Sequence, residues 1–196
     1  MITFDAETHT YWKGMEQIPS VSHLLRPLTE SYLAEIPEAI LNWKRDLGTA
    51  VHKACEYHDQ GILNETDLDP NIVPYLEGYK SFLVDFQPKW DRVEAIVFNE
   101  LQRYAGTLDR AGTLTTGPAI VDLKTSLKIR PSAGIQLWAY ATAYEEIEQP
   151  DLLVLQLLKD GTYKLQPFTD YDEYEATWNA LLTVHAWKKR NERNER

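Results

Sequence analysis

Apolar and polar positions along the chain fall into stretches of helical and of strand period. Leu47, Val51, Ala54 and Cys55 recur at core spacing, which predicts a helix over 46–60 closed by Gly61. Ile72, Tyr75, Leu76, Tyr79, Phe82, Leu83 and Phe86 form a wide apolar stripe, predicting a helix from near Pro70 to Phe86 that Gln87-Pro88 ends. Ahead of these, residues 1–18 read as a β-hairpin, and Ser20 or Ser22 caps a short helix ending before Pro27. A helix over 30–45 is broken or restarted at Pro37. Val93 to Glu100 alternates as a strand, and stretches 103–112 and 118–124 flank the turn formers of a hairpin. Pro131 and Ser132 open a helix through Ala143. Leu152–Leu158 and Thr162–Phe168 flank Asp160-Gly161, a strong hairpin signal. Asp170 caps a final helix from Tyr171, acidic in its first turn and basic in its last, which frays into a flexible tail over 187–196.

The 196 residues suit a single domain with a sizeable core. No apolar stretch approaches the ~20 residues of a membrane span, and the N-terminus lacks the basic and apolar regions of a secretory signal, so a cytoplasmic protein is expected. A lone cysteine, Cys55, excludes an intrachain disulfide and a zinc site built on paired cysteines. The net charge of −10 opposes an extended duplex-binding surface. Its distribution changes the picture: from Arg103 to Arg130 five basic residues (Arg103, Arg110, Lys124, Lys128, Arg130) accompany only two acids, Asp109 and Asp122.

Those two acids carry the candidate chemistry. Ala119-Ile120-Val121 leads into Asp122-Leu123-Lys124, where the acid and the lysine two positions on project from one face of a strand. If strands 103–112 and 118–124 pair, Asp109 lies beside Asp122, and adjacent carboxylates call for a divalent cation or a shared proton. Oxygen ligation favours Mg²⁺ or Mn²⁺ over zinc. Gln136 and Tyr140, four residues apart, share a helix face. Glu56, one helical turn beyond His52, is placed to orient its imidazole. Arg110, Thr125, Ser126, Lys128 and Arg130 are candidate contacts for a nucleic-acid backbone. There is no P-loop, no Gly-x-Ser-x-Gly elbow and no paired-His zinc motif.

Four motifs stand in order: Gly48-Thr49-Ala50-Val51-His52, Gly106-Thr107-Leu108-Asp109, Asp122-Leu123-Lys124 and Gln136-Leu137-Trp138-Ala139-Tyr140. In this order they resemble the PD-(D/E)xK nuclease superfamily, in the RecB-like group that includes phage and mitochondrial genome maintenance exonucleases. Asp122 stands where many relatives carry Glu, and Ile18-Pro19-Ser20-Val21-Ser22 is similar to a segment often found ahead of the His. The resemblance implies an α/β, restriction-endonuclease-like core with a central mixed β-sheet flanked by helices, here preceded by the hairpin and helical segment. It implies a metal-dependent DNA exonuclease of phage or bacterial recombination, repair or processing, acting on single strands or duplex ends, with a recombination or replication protein as partner. One or two Mg²⁺ or Mn²⁺ ions would be held by His52, Asp109, Asp122 and the carbonyl of Leu123. Lys124 would position or deprotonate water, Gln136 and Tyr140 would complete the substrate grip, and Glu94, near the start of its strand, would support the metal site or pair with a basic residue. The rival is an inactive nuclease-fold protein that binds a protein or DNA.

Overall fold

The computed structural model describes residues 1–6 and 8–192. Near-continuous apolar runs such as Ala119–Val121 and Leu152–Leu155 are what a sheet covered on both faces demands, and such a sheet is the centre of the protein. Its strands are β4 (Lys89–Asn99), β5 (Tyr104–Leu114), β6 (Gly117–Lys124), β7 (Asp151–Leu157) and β8 (Tyr163–Phe168), hydrogen-bonded in that order. β6 and β7 are parallel and every other pair is antiparallel. A parallel pair needs a crossover, which α5 (Ser132–Ala143) supplies.

Side-chain alternation sorts the strands between two cores. Val121 and Leu123 of β6, with Leu153, Leu155 and Leu157 of β7, pack against α3 (Glu38–Asp59) and α4 (Val73–Phe86). Ile120, Leu152 and Val154 pack instead against α1 (Val21–Leu24), α5 and α6 (Tyr171–Glu192). Trp178 of α6 is fully buried with its ring 4.8 Å from that of Tyr104 in an edge-on contact. Asp122 and Lys124 follow Ile120 at even spacing, so they emerge beneath α5.

Helix boundaries depart from the sequence pattern where proline and glycine act. Ser20 does cap α1, accepting from the His23 N–H at 3.0 Å. α1 ends at Leu24, before Pro27 as expected, and Pro27 itself lies in the first turn of the next helix, α2 (Arg26–Leu33), where a missing N–H costs nothing. Pro37 starts α3, and the expected break between residues 45 and 46 does not occur: one helix of 22 residues carries Trp43, Gly48 and His52 together. Pro74, not Pro70, occupies the first turn of α4, and Gln87 closes that helix in the left-handed region at φ 44°. The expected N-terminal hairpin is a three-stranded antiparallel sheet of β1 (Ile2–Asp5), β2 (Thr10–Lys13) and β3 (Glu16–Ile18). It packs Tyr11 and Ile18 on Ala105. α6 runs to Glu192, so residues 187–192, expected as tail, are helical, and 193–196 lie outside the described residues. Among the described residues no helix is long and apolar enough to cross a membrane.

Gly48 sits inside α3 with only Thr125 Oγ1 near a would-be Cβ, at 3.7 Å, an ordinary contact. Gly48→Ala should therefore raise stability by up to about 1 kcal/mol through helix propensity, visible as a higher urea midpoint.

Candidate functional site

Strand β5 changes face at Asp109. Leu108 belongs to the core under α5, yet Arg110 reaches Asp59 at the end of α3 and Tyr79 of α4. The neighbouring strand inverts with it: Val93 pairs with Arg110 and Ala95 with Leu108, and Glu94 between them sits in the left-handed region at φ 47°. Such a conformation costs a non-glycine residue about 1–3 kcal/mol. It releases the Glu94 and Asp109 carboxylates from the pleat and sends them to one point, His52 on α3. His52 Nδ1 lies 3.5 Å from Glu94 Oε1 and 3.6 Å from Asp109 Oδ1. Donor atoms of these three residues all fall within 4.8 Å of one another. Beyond the last β5–β6 ladder pair, Arg110 opposite Val121, a side chain replaces the main chain: Asp109 Oδ2 accepts the Leu123 N–H at 2.6 Å.

The same strand end fixes the imidazole. His52 Nε2 is 3.0 Å from the Leu123 carbonyl. A carbonyl only accepts, so Nε2 carries a proton and Nδ1 presents either a lone pair or a second proton to the two carboxylates. A nitrogen lone pair with two carboxylates, its other ring nitrogen held by a main-chain carbonyl, is a donor set suited to a metal ion. His52, Glu94 and Asp109 can hold a metal ion.

Without the metal a proton serves. Burial alone would lower the His52 pKa, but Asp109 and Glu94 outweigh it and raise it from 6.5 to about 9. A folded-state value above the unfolded one gives stability that is complete below about pH 6.5 and lost as the pH rises through about 9. In metal-free protein, His52→Gln should flatten this alkaline loss, read from urea midpoints across that range.

A second group lies on the α5 side of the same strand end. Lys124 Nζ is 2.8 Å from Asp122 Oδ2 and donates to Gln136 Oε1 at 3.2 Å, and Gln136 Nε2 donates to the Tyr140 hydroxyl at 3.0 Å. Asp122 Oδ2 is buried without a well-aligned hydrogen bond. Burial raises the Asp122 pKa to about 6, with Lys124 opposing and Asp109 adding to the rise. Burial would depress the Lys124 ammonium, but Asp122 and Asp109 prevail and hold it above the usual lysine value. Tyr140 is pushed well above its ordinary value by burial and by the nearby Asp122 and Asp109.

The motif glycine Gly106 has a steric reason. A Cβ there would come within 2.6 Å of the Tyr140 ring and 3.2 Å of Val21. Gly106→Ala should displace Tyr140 from Gln136 and destabilise the protein by about 1–3 kcal/mol in urea unfolding.

The remaining sequence candidates divide. Arg110, expected to touch substrate, is fully buried and cannot. It bonds Asp59 Oδ2 at 2.8 Å and Glu94 Oε1 at 3.1 Å, and Tyr79 donates to Asp59 at 2.8 Å, so a buried network fixes Glu94 from behind. Glu56, expected to orient His52, instead pairs with Lys53 at 2.8 Å and accepts from Gln60 at 3.1 Å. Thr125 adjoins Gly48. Ser126 and Lys128 are exposed on the loop after β6, where the Ser126 hydroxyl donates to the Lys128 carbonyl at 3.3 Å. Arg130 stacks on Tyr32 of α2, 3.5 Å from the ring centre. The sequence reading missed Asp59, Tyr79 and Gln156, whose amide holds the Ser126 carbonyl at 2.6 Å. Only Asp59 had a signal: it stands seven residues, two helical turns, after His52.

No protein-family profile matches the chain, and no curated protein sequence matches it.

Proposed function

We propose that the protein is a metal-dependent nuclease that hydrolyses phosphodiester bonds in DNA, on a restriction-endonuclease-like core. One observation carries the reading: a three-donor metal group and an ion-paired, water-accessible lysine meet at the same strand end, with β6 supplying Asp122, Leu123 and Lys124 between them. Charge balance supports a divalent ion. Four carboxylates (Asp59, Glu94, Asp109, Asp122) face two permanent cations, Arg110 and Lys124. The surplus is two negative charges, and the His52 proton offsets only one. The oxygen-rich donor set suits Mg²⁺ or Mn²⁺, one or two ions.

His52 Nδ1, Glu94 and Asp109 would hold the ion, with the buried Asp122 carboxylate adjoining. When bound, the ion supplies Lewis-acid polarisation of a phosphoryl oxygen and acidifies a water. The chain's own groups do the rest. Lys124, held as an ammonium by Asp122 and Asp109, donates: it orients the attacking water and counters charge growing on the phosphate. Its raised pKa favours positioning over proton abstraction. Gln136 fixes the lysine with its carbonyl oxygen and the tyrosine with its amide, so Tyr140, accepting from Gln136, keeps its own O–H to give to a phosphate oxygen. Arg130 and Lys128 border this end of the sheet as backbone contacts.

Incubation of labelled single- and double-stranded DNA with Mg²⁺ or Mn²⁺ tests the reading. Shortening of the DNA that chelation stops is expected; intact DNA with folded, metal-loaded protein overturns it.

A further inference from the structure

Away from the metal group, a cleft of about 370 Å³ opens between the α1–α2 segment and α6. Five basic groups line it: His23, Arg26, His185, Lys188 and Lys189. Its one acid is Glu30. The imidazoles of His23 and His185 meet edge to face at 5.6 Å, and buried Leu24 and Leu181 form an apolar floor. On a chain of net charge −10 this crowding is not background. Among the described residues Arg26, Lys188 and Lys189 form no ion pair. Burial, Arg26 and Lys188 all disfavour a charge on His23, which Glu30 opposes. Cations gathered in a concavity repel one another until an anion enters.

The cleft also lies on a path to the proposed active site. Arg26 opens α2, and six residues on Tyr32 stacks under Arg130 beside the strand end that bears Lys124. At ~1.5 Å per residue the two are about 9 Å apart along the helix, a span of very few nucleotides.

We propose that this cleft binds the phosphodiester backbone of a single nucleic-acid strand, a few nucleotides from the bond to be cut, with Arg26, Lys188 and Lys189 on phosphate and the Leu24–Leu181 floor under a base. The placement relative to the cut bond rests on the nuclease reading; strand binding does not.

The test is binding of fluorescein-labelled oligothymidylate, without divalent metal, to the wild-type protein and to Arg26→Ala/Lys188→Ala, over a range of salt. Circular dichroism confirms that the variant is folded, and Lys188→Gln serves where it is not. The variant should bind about tenfold more weakly, and its log affinity against log salt should be flatter by about 1.4, as expected for two lost contacts on a single strand. Equal affinity and equal slope, or no wild-type binding, overturn the cleft. Cleavage is scored separately with Mn²⁺. A variant-sensitive strand with no cleavage keeps the cleft and removes the nuclease, whereas cleavage with variant-insensitive binding keeps the nuclease and removes the cleft.

Discussion

Asp109→Asn should eliminate divalent-metal binding and DNA cleavage together, lowering the cleavage rate by at least about 10³-fold while the protein stays folded. The substitution isolates charge from shape. Asp109 does two things, accepting the Leu123 N–H through Oδ2 and facing His52 Nδ1 through Oδ1. Asparagine retains an oxygen for the first and removes the negative charge from the second. Calorimetric titration with Mn²⁺ reads the metal, gel assays read the DNA, and circular dichroism reads the fold. Retention of either binding or cleavage would place the metal elsewhere.

Arg110→Met should produce the largest loss of stability, about 3–5 kcal/mol, because it removes the cation paired with Asp59, leaving that carboxylate with the Tyr79 hydroxyl, and leaves half-buried Glu94 with His52 alone. For a chain of this size that lowers the melting temperature by roughly 10 °C. Arg110→Lys should recover only part of the loss. A point-charge ammonium lacks the planar fork by which Arg110 contacts Asp59 through Nε and Glu94 through a terminal nitrogen at the same time. Thermal melts of both variants check this, and a melting temperature unchanged in Arg110→Met would show that the network does not hold the fold.

Much of the architecture was legible because strand and turn chemistry is local. The Asp160-Gly161 hairpin stands where its residues require it, with Gly161 at φ 82° and Asp160 Oδ1 accepting the Thr162 N–H at 3.1 Å. The pairing of β5 with β6, and the strand end carrying Asp122 and Lys124, follow from apolar runs that only a two-faced sheet can bury. Helix boundaries were less legible, since Pro27 and Pro37 can end one helix or begin the next, and tertiary packing decides which.

At the site, the motifs named His52, Asp109, Asp122 and Lys124, with Glu94 as a support, but misplaced Arg110 and Glu56. Arg110 is basic and lies in a locally basic stretch, which reads as a phosphate contact. The inversion of β5 at Asp109 turns it inward, and nothing in a two-residue alternation announces that inversion. The same distortion brings Glu94 into the metal group, and its left-handed backbone leaves no mark in a sequence of non-glycine residues. Asp59 and Tyr79 come from different helices and meet only after α3 and α4 pack on one face.

The central claim is that one strand end cuts DNA with a divalent ion and Lys124. The most direct measurement follows end-labelled linear DNA and a circular control over time with Mn²⁺, comparing the wild-type protein, Lys124→Ala and a chelated sample. The account predicts loss of linear DNA by the wild-type protein, slowing of about 10²-fold or more in Lys124→Ala, and none under chelation. Equal rates for the wild-type protein and Lys124→Ala, or cleavage that survives chelation, would contradict it.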